Sequence, residues 1–145
     1  MIALLQRVRH ASVAIDDRQY ASIQAGMLAL IGFEKEDEAV LLPRLAERIL
    51  GYRMFADSEG RMNLNLSQAG GALLLVPNFT LAADTKRGMR PGFETACPPD
   101  RASALFAALV EICQSHHPQV EQGRFGADMQ VSLLNDGPVT FWLQV

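Results

Sequence analysis

Histidine and cysteine are scarce in this sequence, and their scarcity removes most familiar catalytic designs. The histidines are His10, His116 and His117; the cysteines are Cys97 and Cys113. Cys97 and Cys113 lie 16 apart, and no four-ligand Cys/His set is laid out at zinc spacing, which argues against a zinc site. Few cysteines make a cytoplasmic chain with reduced thiols the expectation. His116 and His117 fall at a helix end, where a cation near the dipole or a solvated tail accounts for them. His10 follows the opening strand without a partner. A Ser-His-Asp or Cys-His apparatus therefore lacks a base. Cys97 sits in a loop beside two prolines, with no flanking cation to lower its pKa. GxSxG, P-loop, GxGxxG and HExxH patterns are absent.

Long apolar runs are missing as well. None approaches the roughly 20 residues of a membrane span. The opening stretch MIALLQRVRHASV is broken by Arg7 and Arg9, and reads as a strand and not as a signal peptide. Positive charge is in deficit: 13 Lys and Arg against 16 Asp and Glu, for a net −3. That argues against coating nucleic acid by charge alone. It leaves open a grip on one end of an RNA by shape. Lys86, Arg87 and Arg90 form the one dense basic cluster, and such a cluster is usually a solvated loop.

What is present is ordinary globular composition, 49% hydrophobic and 20% charged over 145 residues. One domain spanning 1–145 is expected, burying roughly 70% of its unfolded surface. Strands are predicted at 1–8 and 11–16, with a turn at Asp16-Asp17. GMLALIGF, 26–33, is apolar at every position and of strand length, so it is expected to be buried on both faces. Val40, Leu41, Leu45, Ile49 and Leu50 have helical spacing after an acidic start, with Pro43 either in the first turn or at a kink. Two short strands flank a turn at 57–60. Residues 71–81 read as a central strand. Residues 82–98 have no periodicity, and a loop of that length is more often functional than not. A second helix opens at Pro98-Pro99-Asp100, with Leu105, Phe106, Leu109, Val110, Ile112 and Cys113 on its apolar face, and closes before Pro118. Strands are predicted again at 119–124, 127–134 and 139–145. The sum is an α+β domain.

Two spots break the regular pattern. Pro77 interrupts the central strand and removes a ladder donor, which marks a strand end, an edge or a bulge. If the strand resumes, Phe79 and Leu81 are core and Thr80 is a surface residue. Gly137-Pro138 comes directly after Asn135-Asp136, a combination that reads as a tight reversal. The other reading is that the pair presents its backbone to something. Unpaired backbone groups can bind a ligand where side chains supply no acid or base.

The blocks ASVAIDD, LGYRMFADSEGRMNLNL, NFTLAADTKRGMRPGF and GRFGADMQVSLLNDGPVTFW, in this order over nearly the whole chain, resemble the bacterial D-aminoacyl-tRNA deacylases. The resemblance implies a small α+β domain of mixed, mostly antiparallel, barrel-like sheets with two helices. It implies a cytoplasmic homodimer that uses neither metal nor other cofactor and has no membrane partner. The reaction implied is hydrolysis of the ester joining a D-amino acid to the 3′ end of tRNA. A glycyl group, including one mischarged on the tRNA for alanine, has no side chain to reject and is expected to enter too. Family members carry Ser-Gln-Phe-Thr-Leu on one strand and Gly-Pro-Val-Thr near the C-terminus. Gly137, Pro138, Val139 and Thr140 match the second in full. The resemblance implies that this Gly-Pro bond is cis and enters the partner's site, where its carbonyls hold the D-aminoacyl group and exclude L side chains.

In the first motif Phe79, Thr80 and Leu81 match, while Pro77-Asn78 replaces Ser-Gln. The backbone N–H groups of Phe79 and Thr80 are the implied oxyanion site, with Asn78 beside them. The resemblance implies that the Thr80 hydroxyl or the tRNA's own 2′-OH assists the chemistry. Arg7, Phe125 and Met129 match positions around the pocket, and Phe125 is suited to stack on the terminal adenine. The Pro77-Asn78 departure motivates a different reading, a non-catalytic module on the same fold that binds an RNA end or DNA through Lys86, Arg87 and Arg90. A hydrolase of small esters or amides is a third.

Overall fold

The computed structural model describes residues 1–145. The apolar alternation at the start of the chain builds one long strand, β1 (Ile2–Ile15), where two were expected. Asp16 and Asp17, at φ 51° and 59°, make the two-residue turn into β2 (Arg18–Ile23); two successive positive φ values fit the right-handed twist of a hairpin. β3 (Gly26–Gly32) pairs antiparallel with the first half of β1, from Ile2–Gly32 to Val8–Gly26, and β2 with the second half. Parallel to β3 runs β6 (Ala72–Pro77), and parallel to β6 runs β7 (Val120–Gln122). β8 (Gln130–Gln144) lies along the other edge of β1 for nearly its whole length. The curled sheet brings β2 towards β7, with the Arg124 guanidinium 5.9 Å from the Tyr20 ring centroid. The barrel is nearly closed.

Two cores explain the continuous apolar runs. On β6, Leu73 and Leu75 face the helices, while Leu74 and Val76 face the barrel interior. On β3, Met27, Ala29 and Ile31 belong to the first core and Leu28 to the second. β1 serves both by changing phase: Ala3 and Leu5 lie in the helix core, but Val8, Ala11 and Val13 lie in the barrel core. Its pairing with β8 shifts register on both sides of Val8. Each of these large side chains, fully buried, contributes about 1.5–3 kcal/mol.

The helix layer is α1 (Leu42–Gly51) and α3 (Pro99–His116). Pro43 sits in the first turn of α1, where its missing N–H is not needed. The acidic residues before α1 do not enter its first turn. Asp37 is instead buried: its Oδ1 accepts from the Met1 amino group at 2.6 Å and its Oδ2 from the Glu34 amide at 2.7 Å. α3 buries its predicted apolar face except Ile112, which is half-buried. β4 (Phe55–Ala56) and β5 (Met62–Leu64) form the small hairpin. The expectation of two helices misses α2 (Leu66–Ala69), one turn long. It is too short to show periodicity, and is specified by an Asn65–Gln68 capping box and by Gly70 at φ 67°.

Two expectations fail in a way that matters for the site. The central strand does not resume after Pro77; the chain turns into a 3₁₀ helix over Phe79–Ala82. The strands expected at 127–134 and 139–145 are one strand, β8, and Asn135-Asp136-Gly137-Pro138 is not a reversal. No helix is long and apolar enough to cross a membrane.

Candidate functional site

The first irregular spot opens an apolar cavity of about 910 Å³. Pro77 and Asn78 end β6 at its rim, and the Asn78 amide still bonds the Ile31 carbonyl at 2.7 Å. The chain then closes a tight turn, with Leu81 N–H bonding Asn78 O and Ala83 N–H bonding Thr80 O. The first N–H groups of such a helix, those of Phe79 and Thr80, have no intrahelical acceptor. Gly32 lets this turn pack on β3: a Cβ there would lie 2.8 Å from Leu81 Cβ and 3.1 Å from Asn78 O.

Phe79 is not core; it is 57% exposed and meets Phe93 at the cavity mouth, ring centroids 5.1 Å apart. Phe125 and Met129 also line the cavity, on the segment between β7 and β8. Gly123 brings that segment close, since a Cβ there would lie 2.8 Å from Met129 Sδ.

Thr80 is exposed and faces a shallower cleft of about 470 Å³ shared with Lys86, Thr95 and Trp142. Its hydroxyl donates to Asn78 Oδ1 at 2.5 Å. An amide oxygen is not a base, so this contact orients the hydroxyl without activating it. The histidines are engaged elsewhere. His117, expected as a cation near the helix dipole or a solvated tail, is buried: Nε2–H donates to the Gly71 carbonyl at 2.9 Å and Nδ1 faces the Ser67 hydroxyl at 3.2 Å. His116 Nδ1 lies 2.8 Å from the Ile112 carbonyl at the end of α3, and His10 is exposed on β1. Cys97 lines the cavity, but burial pushes its thiol up, and burial in the helix core pushes Cys113 up to about 12. A protonated thiol is a poor nucleophile. No group of three or more His, Cys, Asp or Glu side chains is gathered as a metal site.

The second irregular spot is a wide bulge in β8. The ladder pairs Gln6 with Thr140 and then Val8 with Asn135, so Asp136–Val139 stand opposite Arg7 alone. Asn135 closes the neck of the bulge: its Oδ1 accepts from Val139 N–H at 2.8 Å, and its Nδ2 donates to Val139 O at 3.1 Å and to Thr140 Oγ1 at 3.2 Å. Arg7 holds the flank, with Nε donating to Asp136 O at 2.9 Å and Nη1 to Met54 O at 2.8 Å. The Asp136 carboxylate lies 3.4 Å from Arg7 and 3.1 Å from Arg9. Val139 is buried, which leaves Gly137 and Pro138 exposed at the tip. The Gly137-Pro138 bond is cis and Gly137 has φ 154°. A Cβ on Gly137 would meet Val139 Cγ2 at 2.5 Å and Val139 N at 2.7 Å, so only glycine fits this backbone.

Within the chain the predicted site residues fall into two sets. Asn78, Phe79, Phe125 and Met129 share the cavity; Arg7, Gly137, Pro138, Val139 and Thr140 do not line it. Thr80 stands between the cavity and the shallower cleft. Sequence reasoning misses Asn135, Phe93, Gly32 and Gly123. For Asn135 a signal exists, an asparagine before Asp-Gly-Pro, but the same residues signal a turn equally well.

The family model described as D-Tyr-tRNA(Tyr) deacylase matches residues 4–144. Proteins named D-aminoacyl-tRNA deacylase from Enterobacter sp. (strain 638) and Escherichia coli (strain K12 / DH10B) are 58% identical over 145 residues, covering 100% of both chains in each case. Among solved structures, the c-Myc DNA Unwinding Element Binding Protein superposes with TM-score 0.96 at 32% identity, covering 100% of this chain and 99% of that one. A probable eukaryotic D-amino acid tRNA deacylase superposes with TM-score 0.86 over 99% of this chain and 98% of that one. At 15% identity this last likeness speaks for the fold alone.

Proposed function

This chain belongs to the D-Tyr-tRNA(Tyr) deacylase family, and from that premise we propose how it works as a hydrolase of the ester bond of D-aminoacyl-tRNA. The reading is a homodimer in which each protomer's Gly137-Pro138 tip enters the partner's cavity. The observation that carries it is the separation of the two sets of residues. One chain holds an apolar receptor and a clamped, outward-facing backbone tip, and the two do not meet. A second copy supplies to each what it lacks.

The terminal adenosine enters the apolar cavity, with Phe125 stacking on the base and Met129 beside it. The ester carbonyl rests against the N–H groups of Phe79 and Thr80, which stabilise the oxyanion as water adds. The RNA's 2′-OH assists proton transfer, and Thr80 positions without acting as nucleophile, because its hydroxyl donates to an amide oxygen. The carbonyls at the partner's tip hold the D-aminoacyl group. An L side chain clashes there, which is discrimination by exclusion. A glycyl group has nothing to exclude and is hydrolysed too. The site works in the cytoplasm without a metal or other cofactor.

The test is hydrolysis of D-Tyr-tRNA against L-Tyr-tRNA by the purified chain in EDTA. Rapid loss of the D-ester with the L-ester intact is expected. Loss of neither from a folded dimer overturns the reading. One observation favours a second reading, that of a DNA- or RNA-associated module. The c-Myc DNA Unwinding Element Binding Protein shares the fold at 32% identity, and Lys86, Arg87 and Arg90 are exposed here. Salt-sensitive DNA binding without ester turnover, lost in a Lys86→Gln/Arg87→Gln/Arg90→Gln variant, is its signature.

A further inference from the structure

A separate cleft of about 580 Å³ opens between α1 and the β4–β5 hairpin, and Arg44, Arg48 and Arg53 all face it. Arg44 is matched by Glu47, Nη1 to Oε2 at 2.5 Å. Arg48 and Arg53 take part in none of the ion pairs. Each is instead tethered to a main-chain carbonyl. Arg48 Nη1 donates to Gln144 O at 3.1 Å, and Arg53 Nε donates to Asn63 O at 2.8 Å. A guanidinium carries five N–H donors, so each tether fixes the head and leaves most donors unused. The wall beside them is aromatic, with the Tyr52 and Phe141 rings 4.9 Å apart.

This cleft adjoins the bulge. Phe141 is next to Thr140 on β8, and Arg7, which holds the Asp136 carbonyl, also donates to the carbonyl of Met54, next to Arg53. We propose that the cleft binds phosphates of the substrate RNA. Arg48 and Arg53 of one protomer grip the phosphodiester backbone of the tRNA whose 3′ end lies in the partner's cavity. The inference rests on the cross-subunit reading of the function, because the tip beside this cleft then reaches into that cavity. Planar, pre-positioned guanidinium groups suit phosphate oxygens. In a chain of net charge −3, RNA must be held by local cations of this kind and not by the overall field.

The test compares Arg48→Gln/Arg53→Gln with the unmodified dimer on two substrates, D-Tyr-tRNA and 3′-D-tyrosyl-adenosine, which has no phosphate. For the tRNA, KM is expected to rise about ten-fold, and the slope of log(kcat/KM) against log salt to become shallower by about 1.4, at about 0.7 per single-strand phosphate. Turnover of the tyrosyl-adenosine is expected to stay unchanged, and Arg48→Lys/Arg53→Lys to retain most of the salt slope. An unchanged KM and slope overturns the proposal. So does a parallel loss on both substrates, which would mean that the arginines support the bulge and not the RNA. An unmodified dimer that hydrolyses neither substrate overturns the deacylase reading, and this inference with it.

Discussion

The backbone leaves its regular ladder at Asn78–Thr80 and again at Asp136–Val139, and the two departures are built in opposite ways. After β6 the strand ends, a short helix begins, and the surroundings are aromatic and aliphatic side chains with few polar ties. In β8 the strand continues on both sides, and Asn135 and Arg7 tie the excursion down with directed hydrogen bonds. Apolar walls tolerate small shifts of what they hold, because dispersion contacts are many and weak. Directed bonds fix a backbone atom in place. The contrast suits the proposed division of labour, in which the cavity accommodates and the bulge discriminates.

The sharpest way to break that contrast is Gly137→Ala. Its methyl collides with Val139 and alanine is strained at this φ, so a misplaced tip is expected to lower kcat/KM on D-Tyr-tRNA about 100-fold, in a protein that still folds but melts several degrees lower. Near-normal turnover would end the idea of a rigid reader. Arg7→Met removes two bonds to carbonyls, of which the one to Asp136 O holds the bulge and is worth about 1.5–3 kcal/mol because the donor is charged. About a 30-fold loss of kcat/KM is expected, with a smaller D-over-L ratio in paired assays. On the accommodating side, Phe125→Ala is expected to raise KM about ten-fold with little change in kcat, since stacking on one base is worth about 1–3 kcal/mol. Thr80→Ala should slow turnover only about five-fold, because loss of one hydrogen bond costs about 1 kcal/mol; a dead enzyme that still binds substrate would make Thr80 the nucleophile. The smallest effect is expected from Pro77→Ser/Asn78→Gln, which installs the Ser-Gln pair that the resemblance implies. The Asn78 amide bond to Ile31 is made by the backbone, so rates should stay within about two-fold, as for exchanges that leave backbone contacts intact. A larger gain would mean that this chain's own pair has reshaped the cavity.

The two departures are also unequally legible in the sequence. Pro77 marks the end of β6 correctly, because proline removes a donor wherever it stands. The residues after it mislead: Phe79 and Leu81 alternate like a strand, yet Phe79 is solvent-facing and the segment is helical. Gly137-Pro138 is visible as irregular, but turn chemistry and bulge chemistry use the same residues. Only pairing with β1 distinguishes them, and that partner lies far away in sequence. The split of one strand into two at 1–8 and 11–16 has the same origin. Hydrophobic phase changes at Val8–His10 because β1 passes from one core to the other, and a phase change reads locally as an interruption. The cavity is not legible in local pattern, since its walls come from separated segments; only the resemblance places Phe125 and Met129 around a pocket.

The β1–β8 ladder has a further consequence for how the molecule comes into being. It joins Ile2 to Gln144 and Ala14 to Gln130, among the most sequence-distant pairings the chain makes. Such contacts raise contact order, and the loop entropy they cost is recovered late in folding. The hairpin of β1 and β2 and the helix α3 are local and can form early. The bulge cannot, because its shape depends on Arg7 and on the register of β8 against β1. In a refolding time course, helical circular dichroism should therefore return before stereoselectivity does, and a partly folded chain would be compact yet unable to tell a D-ester from an L-ester.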